Sequence, residues 1–201
     1  MAGTFKLPSG TRKFPAVIMV TGSGPQNRDE EMMGHRPFHV IADYLTRKGI
    51  AVLRYDDRGT ASSQGDYRSA SVQDFATDAV AALEYLKTRN EVDFGKTGII
   101  GHSEGGMIAV MVAGETRLPS FIVSLAGIGI PGDSLMREQR RLIMDASGAP
   151  QAAFEQNERL VERIVEVVHG LSFEEVKASV DSLVLEVVPP MFLQDAQTVQ
   201  R

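Results

Sequence analysis

Gly101-His102-Ser103-Glu104-Gly105-Gly106 is the stretch of this chain best arranged for chemistry. A serine with a glycine two positions to either side is the G-x-S-x-G pattern of a nucleophile elbow. There the chain turns from strand to helix so sharply that only small residues fit the flanking positions. Such a turn lifts a serine hydroxyl clear of a sheet and aims a helix N-terminus at whatever binds beside it. The flanks have the required character. Thr97-Gly98-Ile99-Ile100 is a short apolar strand signal, and Met107–Ala113 is an apolar run that opens a helix. In a chain with 19 glycines the pentapeptide alone would also suit a structural turn; its strand–turn–helix setting favours the chemical reading.

Two further clusters invite the same question. Gly22-Ser23-Gly24-Pro25 closes an apolar run, as a plain strand-ending turn would, and its glycines also let backbone approach closely without a Cβ in the way. Arg28-Asp29-Glu30-Glu31 holds three successive carboxylates. A charge run of this kind reads as a solvated loop before it reads as a metal site.

The elements that must position these residues follow a strand–helix rhythm over residues 3–125. Thr4–Leu7 reads as an edge strand. Ala16–Thr21, Ile50–Tyr55 and Thr97–Gly101 read as strands buried on both faces, and Ser120–Leu125 as a fourth strand. Between them, Pro37–Lys48 places Phe38, Ile41, Ala42 and Leu45 on one helical face. Ser71–Arg89 does the same with Val72, Phe75, Ala76, Ala79, Val80, Leu83 and Leu86, and residues 103–114 form the helix after the elbow. This alternation predicts an α/β fold, a mostly parallel doubly wound sheet covered by helices on both faces. Ligands of such sheets sit at the carboxyl ends of the strands. Thr21–Arg28, Asp56–Ser63, the elbow and Ala126–Gly129 all fall there. After Pro131 the character changes: Asp133–Ala146, Gln151–Val168 and Ser172–Val188 read as helices with charged faces. The expected organisation is a core over residues 1–130 and a helical cap-like lobe over 131–201, with a helical bundle away from the site as the alternative.

Bulk composition narrows the function classes. The chain has 201 residues, 43% hydrophobic and 23% charged, with a net charge of −5, so no basic field is present to attract nucleic acid or anionic lipid. No stretch approaches 18 uninterrupted apolar residues, so no membrane span is expected. With no cysteine there is neither a disulfide nor a thiolate metal site. The lack of cysteine and of a basic-then-apolar leader leans toward the cytoplasm. No Walker-type phosphate loop appears, and no metal or organic cofactor is expected.

Val20–Glu30, Gly34–Phe38, Ala42–Leu45, Arg54–Gly59, Gly101–Gly106 and Leu125–Gly127, taken together in this order and spacing, resemble the α/β-hydrolases. Within that superfamily the chain is similar to bacterial esterases related to serine aminopeptidase and prolyl-oligopeptidase-type hydrolases. The resemblance implies that Ser103 is the nucleophile. It implies an oxyanion hole made by the backbone N–H groups of Glu104 and Ser23. It implies that Asp56-Asp57-Arg58-Gly59 orders its loop by ion pairing, and that the helical lobe roofs the site. The family usually shows Gly-x-Gly-x-Ser at this loop, whereas this chain has Gly59-Thr-Ala-Ser-Ser63, with Ala61 in place of glycine.

The triad of this superfamily runs Ser, Asp or Glu, then His along the chain. The one histidine after Ser103 is His169, at the expected end of a helix; it fits a dipole partner better than a base. His102 neighbours the nucleophile, but an elbow points neighbouring side chains away from it. No acid and no base is therefore assigned, and the chain is expected to be the N-terminal part of a longer hydrolase. Phe121–Leu125 would then present an unpaired apolar edge, inviting self-association or strand exchange. Three functions stay open: hydrolysis of a small-molecule ester through an acyl-enzyme at Ser103, a catalytically incomplete fragment or binding scaffold, and cleavage of peptides or amides.

Overall fold

The computed structural model describes residues 1–168, 171–172 and 175–176, which divide into two compact units after Gly129. In the first unit the order is β1 (Gly3–Lys6), β2 (Phe14–Val20), α1 (Pro37–Arg47), β3 (Ala51–Tyr55), α2 (Val72–Lys87), β4 (Val92–His102), α3 (Glu104–Glu115) and β5 (Phe121–Leu125). One five-stranded sheet results, in the order β1-β3-β2-β4-β5. β2 pairs in parallel with β3 and β4, β4 pairs in parallel with β5, and β1 runs antiparallel to β3. The α/β class and the mostly parallel sheet read from the sequence are thus present.

Side-chain alternation along β2 explains why helices cover both faces. Ala16, Ile18 and Val20 join a core with Leu53, Ala76, Ala79, Leu83, Ile108 and Val112, contributed by β3, α2 and α3. Val17 and Met19 face the other way and pack with Val52, Ile100, Phe38 and Ala42, the last two from α1. A strand apolar at every position is what a parallel sheet between helices requires. α2 starts at a reciprocal cap, with the Ser71 hydroxyl accepting from Asp74 N–H and the Asp74 carboxylate accepting from Ser71 N–H.

Two boundaries differ from expectation. β2 begins at Phe14 and carries Pro15, which coincides with a register shift between Phe14 and Ala16, a bulge where proline removes no ladder bond. β4 begins at Val92, five residues before the apolar signal, because Phe14 N–H donates to Glu91 O (2.8 Å) and pairs this polar segment into the sheet. β5 ends the sheet: its outer edge has no strand partner among the described residues, and Phe121 and Val123 are 43% and 39% exposed.

The second unit contains α4 (Gly132–Ala146) and α5 (Gln151–Val168). They are joined through Glu158, 7% exposed, which accepts from Arg140 (2.7 Å) and pairs with Arg137 (2.8 Å). The expected helix over Ser172–Val188 lies almost entirely outside the described residues. No helix among those described is long and apolar enough to cross a membrane.

Candidate functional site

One residue, Ser103, separates the end of β4 from the start of α3, and its backbone sits at φ 52°, ψ −116°. A side chain in this left-handed region is strained and persists only where its surroundings fix it. Three features fix it here. Ser103 N–H donates to Leu125 O (2.9 Å), tying the turn to the end of β5, and Gly106 N–H donates to Ser103 O (3.0 Å). A Cβ on Gly101 would stand 2.0 Å from Gly105 O, and one on Gly105 would stand 2.2 Å from Val20 O. Both positions therefore require glycine, as the motif demands. The Ser103 side chain emerges at the carboxyl end of the sheet, partly exposed, beside the first turn of α3.

The loop after β2 meets the elbow at Gly22. A Cβ there would lie 3.3 Å from Ser103 Cβ, from His102 Nδ1 and from Glu30 Oε1, so backbone replaces side chain at the point of contact. Gly22, Ser23, His102 and Ser103 line one cleft of about 460 Å³, whose other walls include Glu30, Met32, Met33 and His35. Among the described residues, neither Ser23 N–H nor Glu104 N–H has a hydrogen-bond partner within the chain. The cleft is thus lined by Ser103 and Ser23, and the Glu104 N–H follows Ser103 at the start of α3.

Carboxylates hold this loop in shape, and the expectation of a solvated Arg28–Glu31 segment holds for Glu31, which is exposed, but not for Glu30, which is buried, with Arg28 and Asp29 half-buried. Glu30 is 5% exposed, at φ 52°; its Oε1 accepts from Gly22 N–H (2.8 Å) and lies 2.7 Å from His102 Nδ1. Arg28 gives its guanidinium to Asp56 (2.7 and 2.9 Å) and its N–H to the same carboxylate (2.8 Å), and Asp29 pairs with the buried Arg54. Asp57 accepts from the Thr21 hydroxyl (2.8 Å) and from Gln26 N–H (2.9 Å). The Asp56-Asp57-Arg58 run does order its loops by ion pairing, Arg58 binding Asp74 and Asp78 on α2. Contacts with Arg28 hold the Asp56 carboxyl down at about 2, whereas burial pushes Asp57 up to about 6. Pairing of Arg28 with Asp56 and of Asp29 with Arg54 leaves Arg28 and Asp29 half-buried.

The remaining sequence candidates do not meet Ser103. His102 points its Nδ1 at Glu30, and no side chain among the described residues is hydrogen-bonded to the Ser103 hydroxyl. His169 lies outside the described residues. No group of three or more His, Asp or Glu residues suited to a metal ion occurs among those described. Sequence reasoning set Glu30 in a solvated run and missed its burial and its contact with His102. No local pattern marks it, because its partner His102 is 72 residues away and meets it only through the order of the strands.

Comparison with known proteins gives a consistent answer. The sequence pattern of the family described as serine aminopeptidase, S33, matches residues 34–158, more than half of the chain. Esterase EstD of Thermotoga maritima is 33% identical over 144 residues, which cover 71% of this chain and 34% of that protein. The chain thus spans about a third of the length of that curated relative. Among solved structures, the α/β hydrolase GrgF from Penicillium sp. sh18 aligns with a TM-score of 0.56 at 22% identity, covering 72% of this chain and 47% of that one. The Pyrococcus furiosus esterase Pf2001 aligns at 0.52 and 22%, covering 71% and 53%. At these identities the two structures speak for the fold.

Proposed function

The chain belongs to the serine aminopeptidase, S33, family of α/β-hydrolases, and on that premise we propose that it carries the nucleophile and oxyanion hole of a serine esterase. Ser103 Oγ attacks the carbonyl carbon of a carboxylic ester while its proton passes to a general base. The carbonyl oxygen becomes an oxyanion, which accepts from Ser23 N–H and Glu104 N–H. Collapse expels the alcohol, which takes up the proton, and leaves an acyl group on Ser103. Water then attacks the acyl carbon, giving the free acid and restoring the hydroxyl. The N-terminus of α3 points its unpaired amides at the developing charge. We assign this base to no residue of the chain.

One observation carries this reading: the strained Ser103 backbone, held between Gly101 and Gly105 and lining a cleft with Ser23, with the Ser23 and Glu104 amides unpartnered among the described residues. An ester rather than a peptide is favoured by the esterase relative, the family's own description being that of an aminopeptidase. The test uses the protein carrying this chain, with p-nitrophenyl butyrate and an aminoacyl p-nitroanilide as alternative substrates. Hydrolysis of the ester, lost by a factor of about 10⁴ or more in Ser103→Ala, is the expected result. Preferential cleavage of the anilide would make the protein a peptidase, and activity unchanged in Ser103→Ala would remove the serine from the mechanism.

A further inference from the structure

Glu30 stands out once the roles above are assigned. It is a buried carboxylate in a strained backbone conformation, 5% exposed, and the mechanism does not use it. Its Oε1 accepts from two elements at once. One donor is Gly22 N–H (2.8 Å), immediately before Ser23. The other is His102 Nδ1 (2.7 Å), immediately before Ser103. Because the carboxylate oxygen accepts from both, Nδ1 carries the hydrogen and the ring is held in one orientation. The two segments joined through this oxygen are the two that present the free amides of Ser23 and Glu104.

We propose that Glu30 is a positioning residue: by holding the Gly22 amide and the His102 ring on one buried oxygen, it sets the separation and aim of the Ser23 and Glu104 N–H groups that receive the oxyanion. The loop from Thr21 to Glu30 has no regular ladder to fix it, and its hold on the elbow at this point is the pair of bonds to Oε1. Asp56 and Asp57 brace the same loop, but from β3's side of the sheet. Oxyanion stabilisation depends on donors lying about 3 Å from the place the charge will occupy, so a slack loop weakens the transition state more than the bound substrate. A polar bond made at the cost of burying a carboxylate and straining its backbone is what a site that needs a fixed geometry retains.

This inference rests on the proposed ester hydrolysis, and the test separates the two. kcat and KM for p-nitrophenyl butyrate are measured for wild type, Ser103→Ala, Glu30→Ala and Glu30→Gln in the protein carrying this chain. Loss of activity in Ser103→Ala establishes the reaction independently of Glu30; if Ser103→Ala stays active, it is the reading of the site that falls. A misplacement near 1 Å costs about 10²-fold, so Glu30→Ala is expected to lower kcat about 10–100-fold with KM changed by less than about 3-fold. Glu30→Gln keeps an accepting Oε1 and is expected to recover most of that loss. The affinity of a trifluoromethyl ketone, which forms an oxyanion on binding, should fall with kcat/KM. Wild-type kcat in Glu30→Ala, or a rise in KM alone, overturns the proposal. If Glu30→Ala does not fold, His102→Ala, which removes only the exposed partner, is expected to lower kcat about 3–10-fold; unchanged kcat there overturns it equally.

Discussion

Ser103 and Ala61 both bear a Cβ in the left-handed region, at φ 52° and 48°, and they invite opposite experiments. Strain at Ser103 is tied to the glycines and to Leu125, and relieving it would move the hydroxyl. Strain at Ala61 stands in the loop where the family resemblance implies glycine. A Cβ there costs about 1–2 kcal/mol, part of which glycine returns as unfolded-chain entropy. Ala61→Gly is therefore expected to stabilise the protein by about 0.5–1 kcal/mol in denaturant titration; a loss of stability would show the conformation to be unstrained. Titration distinguishes the two adjacent aspartates as well. Burial raises Asp57 to about 6, so the folded protein holds a proton that the unfolded chain has released, and stability falls as pH rises from about 4 to 6. Asp56, held at about 2 by Arg28, acts with the opposite sign: its stabilisation is present above about pH 4 and is lost as pH falls toward 2. Asp57→Asn removes the first titration. Unfolding measured at pH 4 and pH 7 is expected to show the variant gaining on wild type at the higher pH, and a pH-independent difference would contradict the burial argument.

Among the elements, the passage from β4 to α3 has the least tolerance. A Cβ on Gly105 would meet Val20 O at 2.2 Å and Thr21 O at 2.5 Å, backbone atoms that cannot rotate away. Gly105→Ala is expected to cost about 3 kcal/mol or more and to lower the melting temperature, whereas Gly114→Ala, whose Cβ meets nothing within 4 Å, is expected to leave it unchanged or slightly higher. Equal behaviour of the two variants would contradict a steric demand at the elbow. That demand is also why the elbow was legible in sequence: strand, turn and helix are contiguous, and each glycine answers a local clash. The strands apolar at every position were legible for the same reason. What stayed hidden depends on partners distant in the chain. The Val92–Lys96 start of β4 looks like a loop until Phe14 pairs with it. Arg28–Glu30 looks solvated until Asp56 and Arg54 arrive as counter-ions and Gly22 N–H and His102 Nδ1 meet Glu30. Charge patterning alone cannot tell a solvated run from one whose counter-ions come from other strands.

For the whole molecule, sheet order turns these local features into a site. Placing β2 beside β4 brings the Gly22 turn against Ser103, and the same pairing delivers Glu30 to His102. The sheet, its α-helical covering and the family match make the chain an α/β-hydrolase, and the proposed ester chemistry adds an activated serine to that frame. No side chain among the described residues is hydrogen-bonded to the Ser103 hydroxyl, so the proposed activation is tested on the protein carrying this chain. The most direct measurement is intact mass after treating the protein carrying this chain with a fluorophosphonate, followed by peptide mapping. The account predicts a single phosphonyl adduct on the peptide containing Ser103, absent from Ser103→Ala and from heat-unfolded protein. An adduct on another residue, or none on a folded protein that still hydrolyses p-nitrophenyl butyrate, would contradict it.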